Sequence, residues 1–201
     1  MLIKLLASLC VGLAVAQMPK QAAPVTVEVE TAKGTIEIEV DLAHAPLTSA
    51  NFLRYVDAGL FDGGRFHRAV RPDTETRKDY PIQVIQASID PLRQRSGFPS
   101  IPLERTSVTG LHHLDGTVSM ARSSATDSAT SDFFICIGDQ PELDFGGRRN
   151  ADGQGFAAFG HVVKGMDIVR AIQQSSVAPA TDRGPSQNLT PPIGILKAAR
   201  R

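Results

Sequence analysis

Val25-Thr26-Val27-Glu28-Val29-Glu30, then Lys33-Gly34, then Thr35-Ile36-Glu37-Ile38-Glu39-Val40: apolar and polar residues alternate on both sides of a turn. Strict alternation puts Val25, Val27, Val29, Ile36, Ile38 and Val40 on one face and the glutamates on the other. The pattern is that of a β-hairpin with one buried face and one wet face. Outward from it the period changes once. Pro46 near its start and Gly59 past its end bracket a helix of about three turns. Ala50, Phe52, Leu53 and Val56 form its apolar stripe.

Further along, strand character returns at Arg65–Val70, Ile82–Ile89, Thr117–Ala121, Asp132–Ile137, Phe156–Val163 and near Ile193–Lys197. A second helix fits Gly165–Gln174, with Met166, Ile168, Val169 and Ile172 apolar. Between these lie a charged loop at 71–81, an irregular Pro- and Arg-rich stretch at 90–115, a Ser/Thr/Ala loop at 122–130 and a glycine-rich turn at 146–155. Many short strands with two helices predict a mainly β, antiparallel fold, closed as a barrel to remove its edges.

The 201 residues make one domain plus appendages. Met1–Lys4 is a short basic start, Leu5–Val15 is apolar, and Ala14-Val15-Ala16 has the small-x-small form of a cleavage site. The run is shorter than the about 20 residues that a spanning helix needs. Residues 1–16 therefore read as a signal peptide, in preference to an uncleaved anchor or a buried strand. Leu9 before Cys10 is too bulky for a lipoprotein signal. Residues 17–24 read as a mobile lead-in and 25–201 as the folded domain. Export to the periplasm or the medium follows, with no stable membrane insertion after cleavage.

Lys+Arg and Asp+Glu are both 21. Removing residues 1–16 takes only Lys4 and leaves 20 basic against 21 acidic residues. Such a balance lacks the basic stripe of a nucleic-acid binder. Cys136 is the one cysteine left, and inside Phe133–Ile137 it reads as a buried hydrophobe.

Several motifs tempt towards other chemistry. Ser119, Ser123, Ser124, Ser128 and Ser131 near His112, His113 and Asp115 suggest a Ser–His–Asp hydrolase, but no Gly-x-Ser-x-Gly elbow is present. His112 and His113 are adjacent, so an extended strand would send them to opposite faces, and no matching ligand set accompanies them. Asn150–Gly153 lacks the acidic ligands of a calcium loop. No metal or cofactor is expected.

The stronger constellation is Phe66-His67-Arg68, Val84-Ile85-Gln86, Gly116-Thr117-Val118-Ser119-Met120-Ala121-Arg122, Asp127–Ser131, Phe133-Phe134-Ile135 and Phe159–Asp167. In these motifs, and from about Val25 to about Ala198, the chain resembles the cyclophilin family of peptidyl-prolyl cis-trans isomerases, especially its bacterial exported members. The resemblance implies an eight-stranded antiparallel closed barrel capped by two α-helices. It implies rotation about X-Pro bonds in proline-containing segments of folding, exported proteins, carried out by a monomer.

By the same resemblance Arg68 is the catalytic donor, and Gln86 orients it or holds the substrate carbonyl. Val84, Phe134 and Leu143 form the proline pocket, and the backbone at Ala121 and Arg122 pairs with substrate. Phe156 stands where the family has a histidine, keeping an apolar wall without a hydrogen bond. Asp132 stands where the family has a glutamine and is expected to pair with Arg68 or Arg122. Glu142 replaces the family's tryptophan, removing one wall. Gln83 and Val84 replace an aromatic and a methionine, making the pocket shallower. The alternative is a barrel kept for binding proline-containing segments, with little turnover.

Overall fold

The computed structural model describes residues 24–182 and 184–201. The segment expected to be a signal peptide and residues 17–23 of the expected lead-in lie outside them. The hairpin forms as expected: β1 (Val25–Thr31) pairs with β2 (Gly34–Val40), Val29 opposite Ile36. The other strands are β3 (Arg65–Val70), β4 (Val84–Ser88), β5 (Thr117–Met120), β6 (Phe133–Cys136), β7 (Ala157–Lys164) and β8 (Asn188–Arg200). They close in the order β1-β2-β7-β5-β6-β4-β3-β8, with every pair antiparallel.

Inward residues fill the barrel. Phe52, Phe61, Phe66, Phe133 and Phe159 form an aromatic centre with ring centroids 5.1–6.0 Å apart. Helix α1 (Pro46–Asp57) packs on β7 and β8. Ala50 is exposed, and Thr48, Ser49 and Tyr55 share the buried face with Phe52, Leu53 and Val56. The two hydroxyls can enter because Thr48 bonds to Glu104 at 2.6 Å and Ser49 to the Asp41 carbonyl at 2.8 Å. Helix α3 (Met166–Gln173) packs on β2, β3 and β4. The stretch at 90–115 is less irregular than expected, holding a 3-10 turn at Pro91–Ser96 and the single turn α2 (Thr106–Thr109).

Strand β8 is much longer than the reading near Ile193–Lys197, despite Pro191 and Pro192. Phe66 pairs with Ile193 while Arg68 pairs with Asn188, so both prolines fall inside a register shift. A proline without an N–H is tolerated where the ladder is already interrupted.

Candidate active site

Alternation along β6 divides two neighbouring phenylalanines. Phe133 points into the barrel, whereas Phe134 joins a second cluster on the outer wall with Val70, Ile82, Val84, Cys136 and Leu143. Across the sheet Phe134 faces Gln86, and Gln86 faces Arg68. Strict alternation along β3 would send Arg68 inward with Phe66. A bulge at His67 prevents this: Phe66 pairs with Ala87 and Arg68 with Gln86, leaving His67 as the extra residue. The extra residue reverses the facing, so Phe66 stays in the core and Arg68 comes out beside Gln86.

Arg68, Ile82, Val84, Gln86, Ala121, Arg122, Phe134, Leu143 and Phe156 line one cavity of about 220 Å³. Eight of these nine were read from the sequence; Ile82 was missed. Its backbone N–H is held by Glu75 Oε2 at 2.9 Å, a tie from a loop that reads as solvated. Phe156 meets Phe134 edge to face at 5.3 Å, so the family's histidine is replaced without a gap. Gly155 allows this wall. It sits at φ +67°, and a Cβ there would lie 2.6 Å from the Asp144 carbonyl carbon. Glu142 stands outside the cavity, accepting from the Arg148 N–H at 2.8 Å.

Arg68 Nη1 donates to Gln86 Oε1 at 3.0 Å, and its Nε and Nη2 donate to Gln187 Oε1 at 2.9 and 2.7 Å. Among the described residues it pairs with no carboxylate. Burial lowers its pKa, the Arg149 charge adds to this, and Glu75 opposes it. Guanidinium is basic enough to remain a cation.

Asp132 pairs with neither arginine, contrary to the sequence reading. Arg122 is committed to Asp152 at 2.9 Å and to the Gly155 carbonyl at 2.8 Å, with its guanidinium 5.4 Å from the Phe156 ring centre. Arg68 is taken by the two glutamines. Asp132 lines two neighbouring cavities and accepts from Ser131 Oγ at 3.3 Å. Burial raises its pKa, against the pull of His67, Ser131 and Gln86. The Ala121 N–H also goes to the Asp132 carbonyl, at 2.8 Å.

The serine–histidine suspicion has a geometric basis. His113 Nδ1 lies 2.6 Å from Asp144 Oδ1, and its Nε2 lies 2.9 Å from Ser119 Oγ. The third member is Asp144, not Asp115. Ser119 is fully buried and His113 stacks on Phe134 at 5.9 Å, so no acyl group can reach the hydroxyl. The chain of hydrogen bonds supports the pocket floor. His112 shares the same Asp144, at 2.8 Å. Among the described residues no group of three or more His, Cys, Asp or Glu could hold a metal ion. Cys136 is fully buried behind the pocket, and burial pushes its pKa well up.

The cavity thus opens on the outer wall of a closed barrel, beside an arginine fixed by two amides. The chain belongs to the cyclophilin-type peptidyl-prolyl cis-trans isomerases: the family model, described as "Cyclophilin type peptidyl-prolyl cis-trans isomerase/CLD", matches residues 26–199. It is 36% identical over 170 residues to peptidyl-prolyl cis-trans isomerase A of Dickeya dadantii, covering 85% of this chain and 80% of that one. It is 35% identical over 173 residues to peptidyl-prolyl cis-trans isomerase cyp18 of Streptomyces antibioticus, covering 86% and 96%. A crystal structure of a Cryptosporidium parvum cyclophilin-type isomerase superposes with a TM-score of 0.68 at 18% identity, over 89% and 98% of the two chains. At that identity the likeness is one of fold.

Proposed function

We propose that Arg68 drives rotation about X-Pro bonds in this isomerase while the pocket below it grips the proline ring. Amide resonance sets a barrier of roughly 18–20 kcal/mol, and uncatalysed rotation takes tens to hundreds of seconds. Twisting the bond localises a lone pair on the prolyl nitrogen. A donor fixed at that nitrogen is worth more in the twisted state than in either planar one, which lowers the barrier. Val84, Phe134, Leu143 and Phe156 hold the ring, with Ile82 closing the wall. Gln86 aims Arg68, and the backbone at Ala121 and Arg122 runs beside the substrate chain.

The observation that carries this reading is the Arg68 guanidinium, held at the pocket by two neutral amides and, among the described residues, ion-paired with no carboxylate. The pocket is walled by Ile82, Val84, Phe134, Leu143 and Phe156 without residue 142, which favours turnover over passive holding. The protein acts as a monomer on exported clients during their folding. In support, among the described residues every barrel strand is paired on both sides, and no helix there is long and apolar enough to cross a membrane.

Cis-trans exchange on an X-Pro tetrapeptide, followed by NMR, tests the assignment. The protein accelerates exchange, and folded Arg68→Ala loses about 10²–10³ of it, the usual loss for one fixed transition-state donor. No acceleration over a varied set of X-Pro peptides would overturn the reading.

A further inference from the structure

The sequence motifs supply one partner for Arg68; the fold supplies a second, 119 residues away. We infer that Gln187 is a positioning residue for Arg68, and that loop 71–81 is what holds Gln187. The inference rests on the isomerase reading of the site.

Gln187 lies just before β8 and beside β3, where its carbonyl accepts from the Ala69 N–H at 2.8 Å. Its Oε1 takes the Nε edge of the guanidinium at 2.9 and 2.7 Å, while its Nε2 donates to the Thr74 carbonyl at 3.0 Å. Thr74 is itself buried, its Oγ1 accepting from the Arg71 N–H at 3.1 Å. The amide is thus fixed at both ends. Its carbonyl and the Gln86 carbonyl occupy three of the five guanidinium N–H groups, leaving one on each terminal nitrogen for substrate. Without Gln187 the long side chain would pivot about its single tie to Gln86.

The chemistry of the holder matters as much as its place. A carboxylate there would fix the fork equally well but would cancel the charge that the twisted amide must feel. A neutral carbonyl orients the cation and leaves its field intact.

The test compares wild type with Gln187→Met, which keeps length and loses both hydrogen-bonding ends. Thermal unfolding confirms that each variant is folded. The first readout is hydrogen exchange at the Arg68 Nε–H, whose NMR signal is assigned by its loss in Arg68→Lys. Wild type shows a protected Nε–H, and Gln187→Met exposes it. The second readout is X-Pro exchange: Gln187→Met lowers kcat about tenfold or more, as expected for a lost hydrogen bond to a charged group, while KM stays within about twofold. In an Arg68→Lys background the same substitution has little further effect, since no fork remains to be held.

An unprotected Nε–H in wild type overturns the inference without any variant. Equal losses in the two backgrounds also overturn it, because they mark a merely structural role. A wild type that accelerates no X-Pro peptide overturns the isomerase reading instead, and Nε–H protection alone then decides the hold of Gln187.

Discussion

Asp132 and Phe134 are two residues apart and share the outer face of the sheet, yet they stand in opposite relations to stability. Phe134 gains by leaving water. Asp132 is half-buried with no ion-pair partner among the described residues, and its pKa is raised mainly by that burial. A carboxyl whose folded value lies above its unfolded one destabilises the fold as pH rises past the unfolded value, about 3.9. Asp132→Asn is therefore expected to raise the melting temperature at pH 7. The gain shrinks as pH falls towards 3, where both proteins carry a neutral group. A gain that persists unchanged at pH 3, or a loss at pH 7, would count against this. At this scale Arg68, Gln86 and Phe134 were legible because they sit inside family motifs, and Leu143 and Phe156 through the wider resemblance. Ile82 and Gln187 were not, since each acts through a partner brought close only by folding. Apolar Phe66 and Ala69, three apart around His67-Arg68, did carry a trace of the bulge.

Loop 71–81 and turn 146–155 illustrate how a charged run can mislead. The first reads as a charged loop and the second as an exposed turn, but Glu75 is 1% exposed and meets Arg149 at 2.9 and 3.3 Å. Glu75 also accepts from the N–H groups of Arg77 and Ile82 at 2.8 and 2.9 Å. Arg149 in turn donates to the Tyr80 carbonyl at 2.9 Å. The two loops are one clasp, and Ile82 at its base is a wall of the pocket. Glu75→Ala leaves a largely buried cation unpaired, so urea unfolding should register a loss of about 3–5 kcal/mol. Burial alone would raise the Glu75 pKa; the N–H donors and Arg149 outweigh it, and the net shift is downward. The stabilisation is then complete above the ordinary glutamate value and lost as pH falls through the lower folded one. The gap between wild type and variant should narrow below about pH 4; a pH-independent gap would place the loss in packing instead. The strands and the two capping helices were legible from period alone. The clasp was not, because its partners are 74 residues apart and no local pattern joins them.

At the scale of the molecule, β1 closes on β8, with Val29 opposite Ala198. Alternation announces strands but not their spatial order, which only the folded barrel shows. Joining the first strand of the barrel to the last makes contacts of long sequence range, the kind that folds slowly, in milliseconds to seconds. Cys136 is the one free thiol among the described residues and is buried, so the barrel is held by its core without disulfides. The export proposal has a direct check. Expressed in a bacterium, the protein should accumulate outside the cytoplasm with a measured mass that begins at Gln17, and reductant should leave its melting temperature unchanged. Full-length protein retained in the cytoplasm would overturn the proposal.

Because aromatic rings fill the inside of the barrel, Phe134 and its neighbours work from the outside. A tunnel must be threaded by a chain terminus, one end at a time. A recess on an external flank can be met sideways by the middle of a polypeptide, wherever a proline comes to the surface of a half-made client. Access is then governed by how far the client has collapsed, not by where along its length the proline lies.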